Sequence, residues 1–266
     1  MTKIHIFIVD PQVDFMDQPG SALPVAGATA DMHRLATMID RLGSRVDDIF
    51  VTLDSHHQMH IANPMMWCNS TGQSPSPFTL ITLKDVKQGV WRAKNPAWQE
   101  YQTKYVENLE KNNKYQLCIW PPHCIIGSSG YAVEPTLFKS IMKWENENFA
   151  MANFITKGSN FKTEHYSGLK AEVVDPSDPT TSINFELIKA VQEADIIAVA
   201  GEALSHCVAN TVRDLIDNFN TTEISKVHLL TDCSSSVTGF EKMGQDFIAE
   251  MTLKGMKVIK STDFLV

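Results

Sequence analysis

The sequence of 266 residues lacks the features that define several large classes of protein. No apolar run approaches the roughly 20 residues that a membrane-spanning helix needs. The short apolar start runs directly into acidic residues and has no small-residue cleavage site, unlike a signal peptide. The formal net charge of -8 argues against a general binder of nucleic acid or lipid surfaces. We therefore expect neither nucleic acid nor membrane among its partners.

Cysteines and nucleotide-binding motifs are also scarce. The five cysteines are an odd number without framework spacing, which indicates free thiols in a reducing compartment and a cytoplasmic location. The chain has no Walker loop, no Gly-x-Gly-x-x-Gly fingerprint and no Gly-x-Ser-x-Gly elbow. The sequence therefore does not indicate a P-loop nucleotide site, a Rossmann dinucleotide site or a serine nucleophile on a strand-to-helix elbow.

Short apolar runs rich in β-branched residues alternate with segments of helical periodicity. The predicted strands are residues 4–9, 49–53, 117–119, 152–155, 196–200, 227–230 and 257–259. Helical spacing groups Met32, Leu35, Met38, Ile39 and Leu42; then Ile183, Leu187, Val191 and Ala194; and, more roughly, Phe247, Met251 and Leu253. This alternation favours one α/β domain over residues 1–266, with a parallel sheet covered on both faces.

Residues 61–114 interrupt the alternation. They contain Pro64, Pro75, Pro77 and Pro96, a Ser/Gly/Gln cluster at 70–76 and a helix-like piece at 97–109. The segment is too long for a plain connection. We interpret it as an insertion that lids the domain or builds a subunit interface, and we expect the protein to be a homo-oligomer.

Polar residues follow several of the predicted strands at the point where each strand ends. Asp10, Asp54, Lys157 and Asp232 occupy such positions, and Cys207 follows the predicted strand 196–200 by a short loop. Ligands of open α/β sheets bind at the carboxyl ends of the strands, so these side chains are expected at one edge of the sheet. Strands often end in polar residues simply because they end at the surface. Surface exposure at a strand end explains Asp232 well, but it explains a lysine and a cysteine at such positions poorly.

Asp10, Lys157 and Cys207 form a chemically sensible set. Cys207 lies at a predicted helix start, where partial positive charge would lower the pKa of the thiol. It would be the nucleophile, with a carboxylate carrying the proton and Lys157 stabilising negative charge. The alternative is that Cys207 is a small buried hydrophobe. Neighbouring helical residues point about 100° apart, so we expect His206 in a wall or in the core rather than at the sulfur.

A second cluster has the composition of a metal site. Asp54 and His56 are two residues apart on an extended segment, so their side chains point to the same side. His123 from a distant loop would complete a set of two nitrogen ligands and one oxygen ligand with open positions. An isolated Asp-x-His is a weak signal, and the nearby His57 and His60 are interpreted as lying outside the set.

Five segments, in this order, resemble the nicotinamidase/pyrazinamidase branch of the isochorismatase-like cysteine hydrolases. They are Val9-Asp-Pro-Gln-Val-Asp-Phe15, Asp54-Ser-His56, Trp120-Pro-Pro-His-Cys124, Thr156-Lys-Gly158 and Gly201-Glu-Ala-Leu-Ser-His-Cys-Val208. The resemblance covers nearly the whole chain. It implies a three-layer α/β/α sandwich on a six-stranded parallel sheet, and a cis peptide between Glu202 and Ala203.

The resemblance also implies roles for individual residues in hydrolysing nicotinamide to nicotinate and ammonia through a thioester on Cys207. The implied catalytic triad is Asp10, Lys157 and Cys207, and the implied oxyanion hole is the backbone N–H groups of Ala203 and Cys207. The implied ligands of a divalent metal are Asp54, His56 and His123. That metal is usually Zn²⁺ in the family, with Mn²⁺ or Fe²⁺ as alternatives. Phe15 and Trp120 fall where the family sandwiches a pyridine ring.

Departures from the family pattern border the pocket and leave the substrate open. Ser205 and His206 stand where an acidic and an aromatic residue are common, and Ser55-His56-His57 replaces Trp-His-Pro. The substrate is therefore nicotinamide or another small amide or carbamoyl compound. A non-catalytic protein that binds a small ligand is a third hypothesis. Isochorismatase activity fits less well, because that branch does not use the nucleophilic cysteine.

Overall fold

The computed structural model describes residues 2–111 and 115–266. In chain order the strands are β1 (Ile4–Val9), β2 (Asp48–Asp54), β3 (Trp67–Cys68), β4 (Leu80–Ile81), β5 (Arg92–Ala93), β6 (Leu117–Cys118), β7 (Asn153–Lys157), β8 (Ile196–Gly201), β9 (Val227–Leu230) and β10 (Lys257–Ile259). The helices are α1 (Ala28–Leu42), α2 (Leu83–Lys87), α3 (Gln99–Lys111), α4 (Pro135–Asn148), α5 (Phe185–Gln192), α6 (Ala209–Asp217) and α7 (Glu241–Lys254).

A six-stranded sheet in the order β10-β9-β8-β1-β2-β7 forms the centre, and all its neighbouring strands are parallel. Every residue of β1 is buried, as expected for a central strand covered on both faces. Helix α1 packs against α4, and α6 packs against α7. The predicted three-layer α/β/α sandwich on a six-stranded parallel sheet is confirmed.

Helix α1 buries the five apolar residues that its sequence spacing predicts. Two other helical predictions need correction. Helix α5 covers only Phe185–Gln192, so Ile183 and Ala194 lie outside it. In α7, Phe247 and Met251 are buried, but Leu253 is 91% exposed because it points away from their face.

Two predicted strands take positions that the apolar pattern does not reveal. Strand β7 lies at the edge of the sheet, so Asn153 and Phe154 are exposed rather than buried. The apolar run near residue 117 forms β6, which pairs antiparallel with β4 outside the central sheet. Apolar runs of this length are found in central and peripheral strands alike.

The segment interpreted as an insertion contains β3, β4, β5, α2 and α3 within its described part. Its large side chains Trp67, Tyr105 and Leu109 are buried in the same hydrophobic core as the central sheet. The Tyr105 hydroxyl accepts a hydrogen bond from the backbone N–H of Glu164 at 2.9 Å. This segment therefore helps to position a loop that borders the site described below.

The described helices are too short or too polar to cross a lipid bilayer. The five cysteines are all buried and unpaired, in line with the free thiols expected from the sequence.

Candidate active site

The carboxyl ends of β1, β2, β7 and β8 meet at one edge of the sheet. The strand register places Val9 opposite Gly201 and Asp54 opposite Lys157. Gly201 has a φ of +117°, and a Cβ at this position would lie 2.0 Å from the carbonyl oxygen of Val9. Only glycine lets the two backbones approach this closely. This contact brings the loop after β8 against the end of β1.

Cys207 lies in the π-helical turn Leu204–Val208, which continues directly into α6. The predicted position in the first turn of a helix is therefore observed, and π-turns of this kind are frequent at functional sites. The Cys207 side chain is buried, with 7% of the residue exposed. The peptide bond between Glu202 and Ala203 is cis, as the resemblance implies.

Asp10, Lys157 and Cys207 are brought together at this edge. The Lys157 Nζ lies 2.9 Å from Asp10 Oδ2 and 3.7 Å from Cys207 Sγ. Thr52 donates from Oγ1 to Asp10 Oδ1 at 2.6 Å, which fixes the carboxylate. Lys157 also donates to the backbone carbonyl of His165 at 2.8 Å. A charged amine held in this way is aimed at both a carboxylate and a thiol.

The electrostatics of this set differ from the sequence-based expectation. Burial raises the pKa of the Cys207 thiol well above its usual value, and the Lys157 charge only partly opposes this. The prediction of a lowered thiol pKa is therefore wrong, because desolvation outweighs the Lys157 charge and the nearby Asp10 and Asp54 carboxylates raise the thiol pKa further. Burial also raises the pKa of Asp10, against the effect of Lys157. Burial would lower the pKa of Lys157, but Asp10 and Asp54 hold it well above its usual value.

Asp54, His56 and His123 also converge, with their candidate ligand atoms all within 4.8 Å of one another. Asp54 Oδ1 lies 3.2 Å from His56 Nε2, and Asp54 Oδ2 lies 3.3 Å from His123 Nε2. His123 Nδ1 lies 2.8 Å from the carbonyl oxygen of Pro121, an acceptor that requires the ring to donate. Nε2 of the neutral ring then keeps its lone pair for a metal, as in known metal sites.

Burial supports a metal at this position. His56 is 1% exposed, and neither of its ring nitrogens has a hydrogen-bond partner within the described residues. Buried polar atoms are seldom left unpaired, so these nitrogens suit a bound metal or ordered water. Two imidazoles and a carboxylate suit a divalent transition metal with open positions. The residues present therefore fit a metal ion.

Glu164 is a polar residue of the site that the sequence did not reveal. It lies beside the metal set, with Oε1 4.0 Å from His56 Nε2, and its Oε2 has no hydrogen-bond partner among the described residues. Burial raises the pKa of Glu164 to about 7. Its position in a loop, away from the strand ends, gives no signal in the sequence.

His60 also lies close, but both its ring nitrogens are already engaged. The backbone N–H of Ala62 donates to Nδ1 at 3.3 Å, and Nε2 lies 3.2 Å from the carbonyl oxygen of Thr163. Both contacts compete with a metal for the ring nitrogens, but His60, His56 and Glu164 form a second group whose candidate ligand atoms all lie within 4.8 Å of one another. The interpretation of His60 as lying outside the metal set stays a prediction.

A small cavity adjoins both clusters. Its walls are mostly apolar and aromatic with several polar groups among them, which is the usual composition of a small-molecule site. It is lined by Phe15, Leu23, Asp54, Trp120, His123, Glu164, Tyr166, Ala203, His206, Cys207 and Val237. The cavity therefore contains both predicted ring-binding residues, the thiol and two of the predicted metal ligands, and His206 forms part of a wall.

The six-stranded parallel sheet with helices on both faces has the isochorismatase-like hydrolase fold. Solved structures with this fold match the chain over almost its full length. An isochorismatase-like hydrolase from Alkaliphilus metalliredigens has a TM-score of 0.55 and 15% identity, covering 99% of this chain and 97% of its own. The predicted fold resemblance is thus confirmed.

Nicotinamidases and pyrazinamidases are among the similar structures. A nicotinamidase/pyrazinamidase from Acinetobacter baumannii has a TM-score of 0.66 and 22% identity, covering 100% of this chain and 99% of its own. A pyrazinamidase from Pyrococcus horikoshii, solved in complex with zinc, has a TM-score of 0.56 and 18% identity, covering 97% and 99%. No family model matches the sequence. No curated protein matches it either.

Proposed function

We propose that this protein is a metal-assisted cysteine amidohydrolase that converts nicotinamide to nicotinate and ammonia. The observation that carries the proposal is the position of Lys157, whose ammonium contacts the Asp10 carboxylate and the Cys207 thiol at the wall of the cavity. A nucleophile, a proton carrier and a fixed positive charge in contact with one another are the requirements for nucleophilic acyl transfer. The similarity to nicotinamidase structures supports the substrate.

The geometry suggests a simple sequence of proton transfers. Asp10 takes the proton of the Cys207 thiol as the sulfur attacks the amide carbon, and returns it to the departing ammonia. Because burial raises the pKa of the thiol, deprotonation coupled to attack is more favourable than a free thiolate. Asp10 then takes a proton from water as the water oxygen attacks the thioester carbon, and it returns this proton to the departing Cys207 sulfur as the acid is released. Lys157 remains charged throughout and stabilises negative charge on the Asp10 carboxylate and on the Cys207 sulfur.

The backbone N–H of Ala203 is available for the oxyanion. It donates to no backbone carbonyl among the described residues, and Ala203 lines the cavity. Cys207 lies in the first turn of its helix, where N–H groups lack acceptors within the helix. The two groups therefore suit the predicted oxyanion hole.

Asp54, His56 and His123 would hold the divalent metal, for which zinc is favoured by the zinc-bound pyrazinamidase with the same fold. A metal held there would supply a Lewis-acidic position for the ring nitrogen of nicotinamide, and Phe15 and Trp120 would hold the ring. The apolar faces of those two residues, both in the cavity wall, suit a planar aromatic ring.

The proposal is tested by ammonia release from nicotinamide with metal-loaded protein. Cys207→Ala should abolish turnover because no thioester can form, whereas Cys68→Ala, at another buried free cysteine, should retain it. Activity on other small amides but not on nicotinamide would establish the alternative substrate class. A wild type with no amidase activity, whose Cys207 is alkylated no faster than its other thiols, would instead indicate a small-ligand binding protein.

The homo-oligomer, the cytoplasmic location and the role of residues 61–114 as a lid or interface stay predictions.

A further inference from the structure

Strand β7 leaves one side of its backbone open. It pairs with β2 on one side, and no strand in the described part of the chain pairs with it on the other. The Ser55 N–H donates to the Lys157 carbonyl at 2.8 Å, so the backbone polar groups of Lys157 point towards β2. Because this direction alternates along a strand, those of Ile155 also point towards β2. The backbone polar groups of Phe154 and Thr156 therefore point outwards.

The open stretch of this edge is short. At its start, the Ala152 N–H donates to Glu145 Oε1 at 2.8 Å. At its end, the Gly158 N–H donates to His165 Nδ1 at 3.2 Å. Between these two residues, no turn or loop backbone among residues 2–111 and 115–266 supplies the outward N–H groups with an acceptor. Two N–H groups and two carbonyl groups are therefore available to pair with a further strand.

The sequence around this edge does not protect it. Residues 149–156 read Phe-Ala-Met-Ala-Asn-Phe-Ile-Thr, without a charged residue or a proline. Edge strands of soluble proteins usually carry charges, proline or a covering element, because a bare edge pairs with other chains. An uncharged edge of this kind is expected to be covered in solution.

Large apolar side chains around the edge are exposed. We name four of them the edge patch: Phe149 is fully exposed, and Met151, Phe185 and Phe154 are 82%, 63% and 42% exposed. A large side chain presents roughly 200 Å² when it is fully exposed, so two copies of the patch offer roughly 1,100 Å². A specific protein–protein interface needs about 1,000 Å². The edge patch is therefore large enough for a stable dimer.

We propose that β7 is the interface of a homodimer, in which it pairs antiparallel with β7 of a second copy about a two-fold axis at Ile155. In this register Phe154 exchanges two backbone hydrogen bonds with Thr156 of the partner subunit, and the axis repeats the exchange. These four bonds satisfy every open group of both edges. An axis at Phe154 or Thr156 would instead direct bonds at Ala152 or Gly158, whose N–H groups are occupied. A second copy is the occupant because the two-fold axis makes the edge complementary to itself.

Analytical ultracentrifugation of the purified full-length protein tests the interface. We expect the wild type to sediment at twice the chain mass at micromolar concentration. Phe154→Lys places a charge on the edge and should raise the dimer dissociation constant about 100-fold or more, because each change acts twice across the axis. Met151→Lys changes a side chain too exposed to support the fold and should weaken the dimer as well. Leu253→Lys, at an exposed apolar residue of α7, is the matched control and should leave the dimer intact.

A cross-link tests the register. Residues that face each other at the axis form a non-hydrogen-bonded pair with Cα atoms about 4.5 Å apart, within the roughly 4.4–6.8 Å that a disulfide spans. Ile155→Cys should therefore give a covalent dimer on mild oxidation, whereas Leu253→Cys should not. The native cysteines are buried and contribute little background. In hydrogen exchange, the Thr156 amide should be protected in the wild type and exchange rapidly in Phe154→Lys.

A monomeric wild type would overturn the proposal, as would a dimer that Phe154→Lys and Leu253→Lys weaken equally. A dimer whose Thr156 amide exchanges freely, and whose Ile155→Cys variant forms no disulfide, uses another surface and overturns it too. Open-ended assemblies of rising mass would show that the edges do not close about a two-fold axis. None of these measurements depends on amidase activity, so the interface and the proposed function fail independently of each other.

Discussion

Gly158 provides a sharp test of the metal site, because it lies directly against the proposed ligands. Its φ is +82°, and a Cβ at this position would lie 2.8 Å from Asp54 Oδ1 and 3.1 Å from His56 Nε2. Gly158→Ala therefore pushes a methyl group into two ligand atoms at once. We expect metal affinity to fall by roughly 10- to 100-fold, the usual effect of displacing groups that orient metal ligands.

Gly239→Ala is the matched control. Gly239 has a nearly identical φ of +87°, but a Cβ there would meet no atom within 4 Å. Both variants carry the strain of a left-handed backbone conformation, about 1–2 kcal/mol of unfolding free energy. Only Gly158→Ala combines that strain with a displacement of Asp54 and His56, so the difference in metal affinity isolates the contact.

Competition with a chelating dye measures zinc affinity, and urea unfolding of the metal-free proteins measures stability. If Gly158→Ala binds zinc as tightly as Gly239→Ala, the assignment of Asp54 and His56 as ligands to one ion is refuted. A wild type that binds no divalent metal would refute the metal site altogether.

Three further perturbations probe the buried charges and the close backbone contact. Lys157→Met leaves the fully buried Asp10 carboxylate without its counter-charge, so urea unfolding should show a loss of about 3–5 kcal/mol and ammonia release should cease. Burial raises the pKa of the Glu202 carboxyl well above its usual value. The neutral carboxyl therefore contributes fully to stability at a pH below its pKa in the unfolded chain. This contribution is lost as the pH rises towards its pKa in the folded protein. Glu202→Gln should remove this slope, at most about 1.4 kcal/mol per pH unit, in unfolding curves measured from pH 5 to 8. Gly201→Ala should cost about 3 kcal/mol or more in urea unfolding, because its Cβ meets the backbone of Val9.

Each of these has its own control. Adding Asp10→Asn to Lys157→Met should recover part of the stability but none of the activity, and no recovery would contradict the charge-pair explanation. An unchanged pH slope in Glu202→Gln would show that Glu202 is ionised in the folded protein. Gly255→Ala, at a φ of +113° with its nearest contact at 3.8 Å, should cost only the backbone strain. Equal losses in Gly201→Ala and Gly255→Ala would exclude a steric role for Gly201.

The parts of the fold that the sequence predicts well are those with strong periodicity. The apolar run of β1, interrupted only by the buried His5, predicts a central strand, and the regular spacing in α1 predicts a helix; both are observed. The exposure of Phe154 could not be predicted, because an edge strand and a central strand can share the same apolar pattern. Leu253 shows the same limitation in a helix with weak periodicity.

The site shows a similar division. Asp10, Lys157 and Cys207 could be grouped from the sequence, because parallel strands deliver their ends to a single edge. Glu164 could not be included, since it reaches the site from a loop that is held in place by Tyr105 of a distant segment. The raised pKa of the Cys207 thiol was equally inaccessible, because it is the balance between burial and Lys157, and that balance depends on three-dimensional distances.

Lys157 lies between the two clusters, 2.9 Å from Asp10 and 3.2 Å from Asp54. The Lys157 ammonium therefore contacts both Asp10, which carries the proton of the reacting thiol, and Asp54, which is a proposed metal ligand. Two sites that share a charge are thermodynamically linked, and the linkage acts equally in both directions. A metal bound by Asp54 would then shift the proton equilibrium of the Cys207 thiol without contacting it, and deprotonation of that thiol would change the metal affinity by the same factor.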